Sequence, residues 1–221
     1  MNSPVYTRIT IGIAAILLGL VNFAYAGPPL ICHALEIGQA KSLPLVDPWK
    51  GNTGYDVKNL TRDTLAILDA SAPALVRMET LRRATIYARQ DPQVAKELLT
   101  RLQARAANSD SAGHPDAMAW FDAGYLIETY QQWIGKSEPN PAAGLDGYGL
   151  IKKAIRLRGQ DPEMDFAAAL VTLKGPEGDR QDHLRKAIAG AKNDPLLAQN
   201  LASNFYRQTI AELLTAPAGR V

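Results

Sequence analysis

Thiol and imidazole chemistry is scarce in this chain of 221 residues: one cysteine, Cys32, and three histidines, His33, His114 and His183. A lone cysteine excludes an intramolecular disulfide, and it also excludes the thiolate sets that build structural zinc sites. No Gly-x-Ser-x-Gly nucleophile motif and no phosphate loop are present, and the Gly147-Tyr148-Gly149 triplet has no strand-like run before it. Charge of one sign is missing as well: 24 Lys and Arg face 22 Asp and Glu, for a net charge of +2, and the two signs are intermixed. Nucleic acid binding needs a basic surplus or a basic face, so it is not expected. Period-two alternation, the mark of a half-buried strand, is absent throughout.

What is present begins with an N-terminal segment that has a single charged residue, Arg8, followed by an apolar run from Ile9 to Phe23. The run is short for a membrane span and ends in Ala24-Tyr25-Ala26, the small-x-small pattern read by signal peptidase. Cleavage after Ala26 is therefore expected, with the mature protein exported to the periplasm or the medium and no membrane attachment remaining. The competing reading is an uncleaved anchor. Removing those 26 residues leaves 195, with 23 basic against 22 acidic side chains because only Arg8 is lost. A chain of that size buries a full core without covalent staples. Lipidation at Cys32 is disfavoured, since Pro29-Leu30-Ile31 precedes it where small residues are required.

Residues 27–55 hold Pro28, Pro29, Pro44 and Pro48 with Gly27, Gly38, Gly51 and Gly54, so no long helix or regular strand runs through them. They are expected to form an irregular arm, with a short helix within Leu30–Ile37 and with Leu43, Leu45, Val46 and Trp49 docking an extended stretch on the body. From Asp56 the apolar spacing becomes three and four: Leu60, Leu65 and Leu68, then Leu75, Val76, Leu81 and Ile86, then Val94, Leu98, Leu99 and Leu102. Ser71 with Pro73 marks one helix start. Asp-Pro marks three more, at Asp91-Pro92, Asp161-Pro162 and Asp194-Pro195, since Asp caps the free amides of a first turn and Pro is tolerated at its first position. Each Asp-Pro follows an alanine by seven residues, at Ala84, Ala154 and Ala187, and the intervals of 70 and 33 residues fit a period near ~34 with two helices per unit.

These features resemble the tetratricopeptide family and, more loosely, Sel1-like repeats. Trp120-Phe121-Asp122-Ala123-Gly124 is similar to the first-helix signature, and Gly147, Ile151 and Ala154 follow at the second-helix spacing. Arg77 and Arg180 stand where that pattern takes a small residue, and 135–144 reads as an insertion. The resemblance covers roughly residues 56–217 and implies an all-α domain over 56–221 of about eight helices, stacked as antiparallel hairpins, binding protein or peptide on a concave face. The stretch from Gly27 to His33, with Ile37 to Pro44, further resembles the mature start of a family of secreted bacterial proteins without an assigned activity. That resemblance implies export and a bacterial source only.

Candidate sites are few. Aromatic residues make up 7% of the chain, yet Trp120, Phe121, Tyr125, Tyr130 and Trp133 crowd into one helix, too many rings for a single buried stripe. One or two of Tyr125, Tyr130 and Trp133 are therefore expected to line an open groove with Tyr148, against the plainer reading that all are core. Cys32 and His33 form the most pointed pair, suited to a soft metal, to redox sensing or to an intermolecular disulfide, although a small hydrophobe packed under the arm beside a polar neighbour is the simpler reading. A metal-dependent or thiol-based enzyme would draw on Cys32, His33, His114 or His183, and a Cys32-linked homodimer is a further alternative. Histidine–carboxylate groupings at His33 and Glu36, His114 and Asp116, or His183 with Asp179 and Asp182 match no metal-binding spacing, and no metal or cofactor is expected. His183 is expected on an exposed charged run, and His114-Pro115-Asp116 reads as a helix entry. Asp116, Asp122, Glu128 and Glu138 read as residues of a solvated helix face rather than a glycosidase pair.

Overall fold

The structure, a computed structural model, describes residues 29–69, 71–134, 139–174 and 177–206. The expected signal segment lies outside the described residues, as do Glu138 and Arg8. Among the described residues nine α-helices form in order: α1 (Pro29–Cys32), α2 (Leu60–Asp69), α3 (Ala74–Ala88), α4 (Pro92–Ser111), α5 (Ala117–Trp133), α6 (Gly147–Arg158), α7 (Pro162–Val171), α8 (Glu177–Ala191) and α9 (Pro195–Leu201). The chain is all-α. Among the described residues the one non-helical pairing is an isolated antiparallel bridge between Asp47 and Gly51, and no helix is long and apolar enough to cross a membrane.

Helix starts follow the aspartates. Asp91 accepts from the amides of Gln93 and Val94, Asp161 from Met164, Asp194 from Leu196 and Leu197, and each is followed by proline at the first helical position. Asp116 caps α5 in the same way through Met118 and Ala119. At α3 the sequence offers Pro73 without a side-chain cap. There the carboxylate of Glu163, from the start of α7, reaches across to accept the Leu75 amide at 2.9 Å. Two helix N-termini distant in sequence are thereby tied together.

Helices α3, α5 and α7 lie side by side, with α6 packed closely on α5, α8 on α7, and α4 chiefly on α5. The α5–α6 seam is set by shape. A β-carbon at Gly124 would meet the Gly147 carbonyl oxygen at 2.7 Å and one at Gly147 would meet the Gly124 carbonyl oxygen at 2.6 Å, so both positions require glycine. Ile151 and Ala154, fully buried on α6, complete that seam, and on α7 Ala167, Ala168 and Ala169 are likewise fully buried.

The period departs from a regular array. Ala84 lies on α3, Ala154 on α6 and Ala187 on α8, all 0% exposed. Ala154 and Ala187 stand two helices apart, from α6 to α8, as a two-helix unit requires. Between Ala84 and Ala154, however, three helices are traversed instead of four, because α4 and α5, of 20 and 17 residues, and the long connection after them consume the length. Ala84 therefore occupies a different structural role from Ala154 and Ala187.

Candidate functional site

The arm crosses α3, α5 and α7. Its helical turn α1 contacts all three, and Leu30, Ile31, Leu35, Ile37 and Leu43 are buried while His33, Ala34, Glu36 and Gly38 to Lys41 stay exposed. Only the Pro29–Cys32 part of the expected short helix is helical; beyond it the arm runs irregularly through a turn at Gly38. Leu43 docks as expected and Trp49, though 51% exposed, lies against Trp133, whereas Val46 is 79% exposed and does not dock.

What holds the arm is the interior of α3, where every residue except Arg83 is buried. Glu79, 0% exposed, is its centre. Spacing of three and four residues brings Arg82 and Arg83 onto the same side as Glu79. Arg82 donates to both Glu79 oxygens at 2.7 and 2.9 Å, and Arg83 donates to Oε1 at 2.7 Å. A further donor of each guanidinium goes to the arm's main chain: Arg82 to the Ile31 carbonyl at 2.9 Å and Arg83 to the Leu43 carbonyl at 2.6 Å. The Leu35 amide in turn donates to Glu79 at 3.0 Å. At the far side Asn200 of α9, also 0% exposed, grips one residue twice, accepting from the Glu36 amide at 2.9 Å and donating to its carbonyl at 2.8 Å. Gln132 of α5 accepts the Leu30 amide at 2.9 Å. Six main-chain groups of the arm are thus read by side chains from three helices, in the manner by which peptide-binding surfaces take affinity from the backbone and specificity from alternate side chains.

The connection that follows is anchored separately. The Tyr87 hydroxyl donates to the Pro44 carbonyl at 2.5 Å and accepts from the Asn52 amide at 2.8 Å; burial pushes this phenol up in pKa, with the Asn52 bond opposing. Gly51, at φ 77°, packs so closely on the Tyr87 ring that a β-carbon has no room. Trp49 stacks on Trp133 with centroids 5.8 Å apart, and Arg89 lies over the Trp133 ring at 5.1 Å.

The expected open aromatic groove is not what these residues form. Tyr125 and Tyr130 are 1% and 0% exposed and belong to the core, Trp133 is half-covered by Trp49, and Tyr148 turns toward α7 and α8. Its hydroxyl donates to Asp179 at 3.0 Å and lies 2.9 Å from Nε2 of His183, whose Nδ1 is 2.7 Å from Asp165. His183, expected on an exposed run, is only 8% exposed because α7 and α8 close over it. Burial, reinforced by Asp179, raises the pKa of Tyr148.

Cys32 and His33 lie on the arm, His33 and His114 are exposed, and His183 is buried on α8, so the structure does not gather them. Among the described residues no three His, Cys, Asp or Glu side chains are arranged to hold a metal ion. Burial raises the Cys32 pKa against the pull of Arg82, which disfavours the nucleophilic thiolate. Asp122, expected on a solvated face, is fully buried and accepts from Arg77 at 2.6 Å. Burial lifts its carboxyl to about 7 in spite of the Arg77 guanidinium. The large residue at position 77 is accounted for by that contact and by bonds from Arg77 to the Leu68 and Ala72 carbonyls at the end of α2 and just beyond it. Asp116 and Glu128 are helix-capping groups, Glu128 accepting the Tyr148 amide at 2.8 Å. Sequence reading missed Glu79, Arg82, Arg83, Gln132 and Asn200; the signal available was three charges at helical spacing inside an otherwise apolar stretch. Comparison with protein-family models, with curated proteins and with solved structures finds no match for the chain.

Proposed function

We propose that the protein is an exported, non-catalytic helical scaffold, tetratricopeptide-like in its hairpins, that binds a protein or peptide segment on the α3, α5 and α7 side. The observation that carries this reading is the way Glu79, Arg82, Arg83, Asn200 and Gln132 hold main-chain groups of residues 30–43 while aliphatic side chains alone enter the core. A surface that binds polypeptide through its backbone has the chemistry for a peptide ligand. Export is supported by Ala24-Tyr25-Ala26 at the end of the apolar run, and N-terminal sequencing of the secreted protein should begin at Gly27.

Panning a displayed library of random peptides on the chain tests the reading. Enrichment of segments bearing spaced aliphatic residues is expected, and binding of the selected peptides should weaken in Asn200→Ala. Absence of any enriched binder would overturn it.

A further inference from the structure

We propose that residues 30–43 are a placeholder, and that the natural occupant of this face is an extended segment of a partner protein with aliphatic side chains at the spacing of Leu30, Ile31, Leu35 and Leu43. This inference rests on reading the face as a polypeptide-binding surface and names what it binds. Three observations carry it. Apart from the Ser42 hydroxyl on Thr80, the polar contacts described fall on main-chain atoms, which any sequence supplies, so the arm's own identity is used chiefly at its buried aliphatic positions. Glu79 and Arg82 are buried, and stripping the arm away would leave the Arg82 guanidinium short of the Ile31 carbonyl and Glu79 short of the Leu35 amide. An incoming strand that presents an amide and a carbonyl at the same places restores both contacts, so the face favours exchange of one strand for another over standing empty. The connection after the arm, finally, has its own anchors on Tyr87 and Trp133, so residues 30–43 can lift while Pro44 to Asn52 stay in place.

A reversible lock tests the exchange. Ser42 Oγ and Thr80 Oγ1 lie 3.0 Å apart, which puts cysteines introduced at both positions within reach of a disulfide. The full chain carrying Cys32→Ser, Ser42→Cys and Thr80→Cys is titrated, oxidised and reduced, with a fluorescent synthetic peptide of the sequence 30–43 carrying Cys32→Ser. Binding to the reduced protein is expected to weaken at least about tenfold on oxidation and to return on reduction. Equal binding in both states would overturn the placeholder while leaving peptide binding itself standing. Failure of this peptide where library-selected peptides bind would do the same, whereas failure of both would overturn the underlying reading. A disulfide joining two chains would show that the occupant is the arm of a second copy and would overturn the assignment to another protein. If the variant does not fold, the unmodified chain serves: the peptide should accelerate tryptic cleavage after Lys41, and an unchanged rate would contradict the exchange.

Discussion

The α5–α6 seam and, Arg83 apart, the arm-covered side of α3 are both buried, yet they are built on opposite principles. The seam has glycine against glycine, with Ile151 and Ala154 beside them, and fixes two helices through backbone shape. The arm-covered side has a carboxylate and two guanidinium groups, joined by the Asn200 carboxamide from α9, and holds a segment through hydrogen bonds to its main chain. Shape of the first kind admits one partner only. Polar recognition of the second kind accepts any strand that presents the same amides and carbonyls, which suits a contact made to be exchanged.

Substitutions on either side should separate the two designs. The largest expected effect is Glu79→Ala, which leaves Arg82 buried without its carboxylate and should cost about 3–5 kcal/mol in denaturant unfolding. It should also release the arm, read as faster tryptic cleavage after Lys41. Gly147→Val should cost about 3 kcal/mol through backbone collision with α5. Under native conditions it should leave cleavage after Lys41 slow, and fast cleavage there would erase the distinction between the two regions.

The Arg77–Asp122 contact sharpens the comparison by pH. The Asp122 carboxyl titrates at about 7 in the folded protein and near the ordinary 3.8 when unfolded, so between those values the folded state holds a proton that the unfolded state has lost. Stability from this group therefore falls as pH rises through that window. Denaturant midpoints measured across it should decline, and Asp122→Asn should flatten the decline. The smallest effect expected is at the caps: Asp194→Ala should cost about 1 kcal/mol and, by loosening the start of α9, should free the arm at Glu36 more than it disturbs the seam.

How far the sequence revealed the fold follows the same division. Helix starts at Asp91, Asp116, Asp161 and Asp194 were legible because a cap is a contact between residues two or three apart. Gly124 with Gly147, Ile151 and Ala154 was legible because the seam joins consecutive helices. The grip on the arm was not, since Glu79 meets Leu35 across 44 positions and Asn200 meets Glu36 across 164, and no local period encodes such a meeting. The expectation of a groove at one or two of Tyr125, Tyr130 and Trp133 fails for the same reason: their helix does show an excess of rings, but the segments that cover them come from elsewhere in the chain. Ala84 shared a spacing with Ala154 and Ala187 without sharing their place, because spacing counts residues and not helices.

Amide hydrogen exchange of the arm, followed by mass spectrometry with and without a library-selected peptide, tests the central claim most directly. Exchange across residues 30–43 should accelerate when the peptide is added while the amides of α5 and α6 keep their protection. Unchanged or increased protection of the arm in the presence of bound peptide would contradict a face built to exchange its strand.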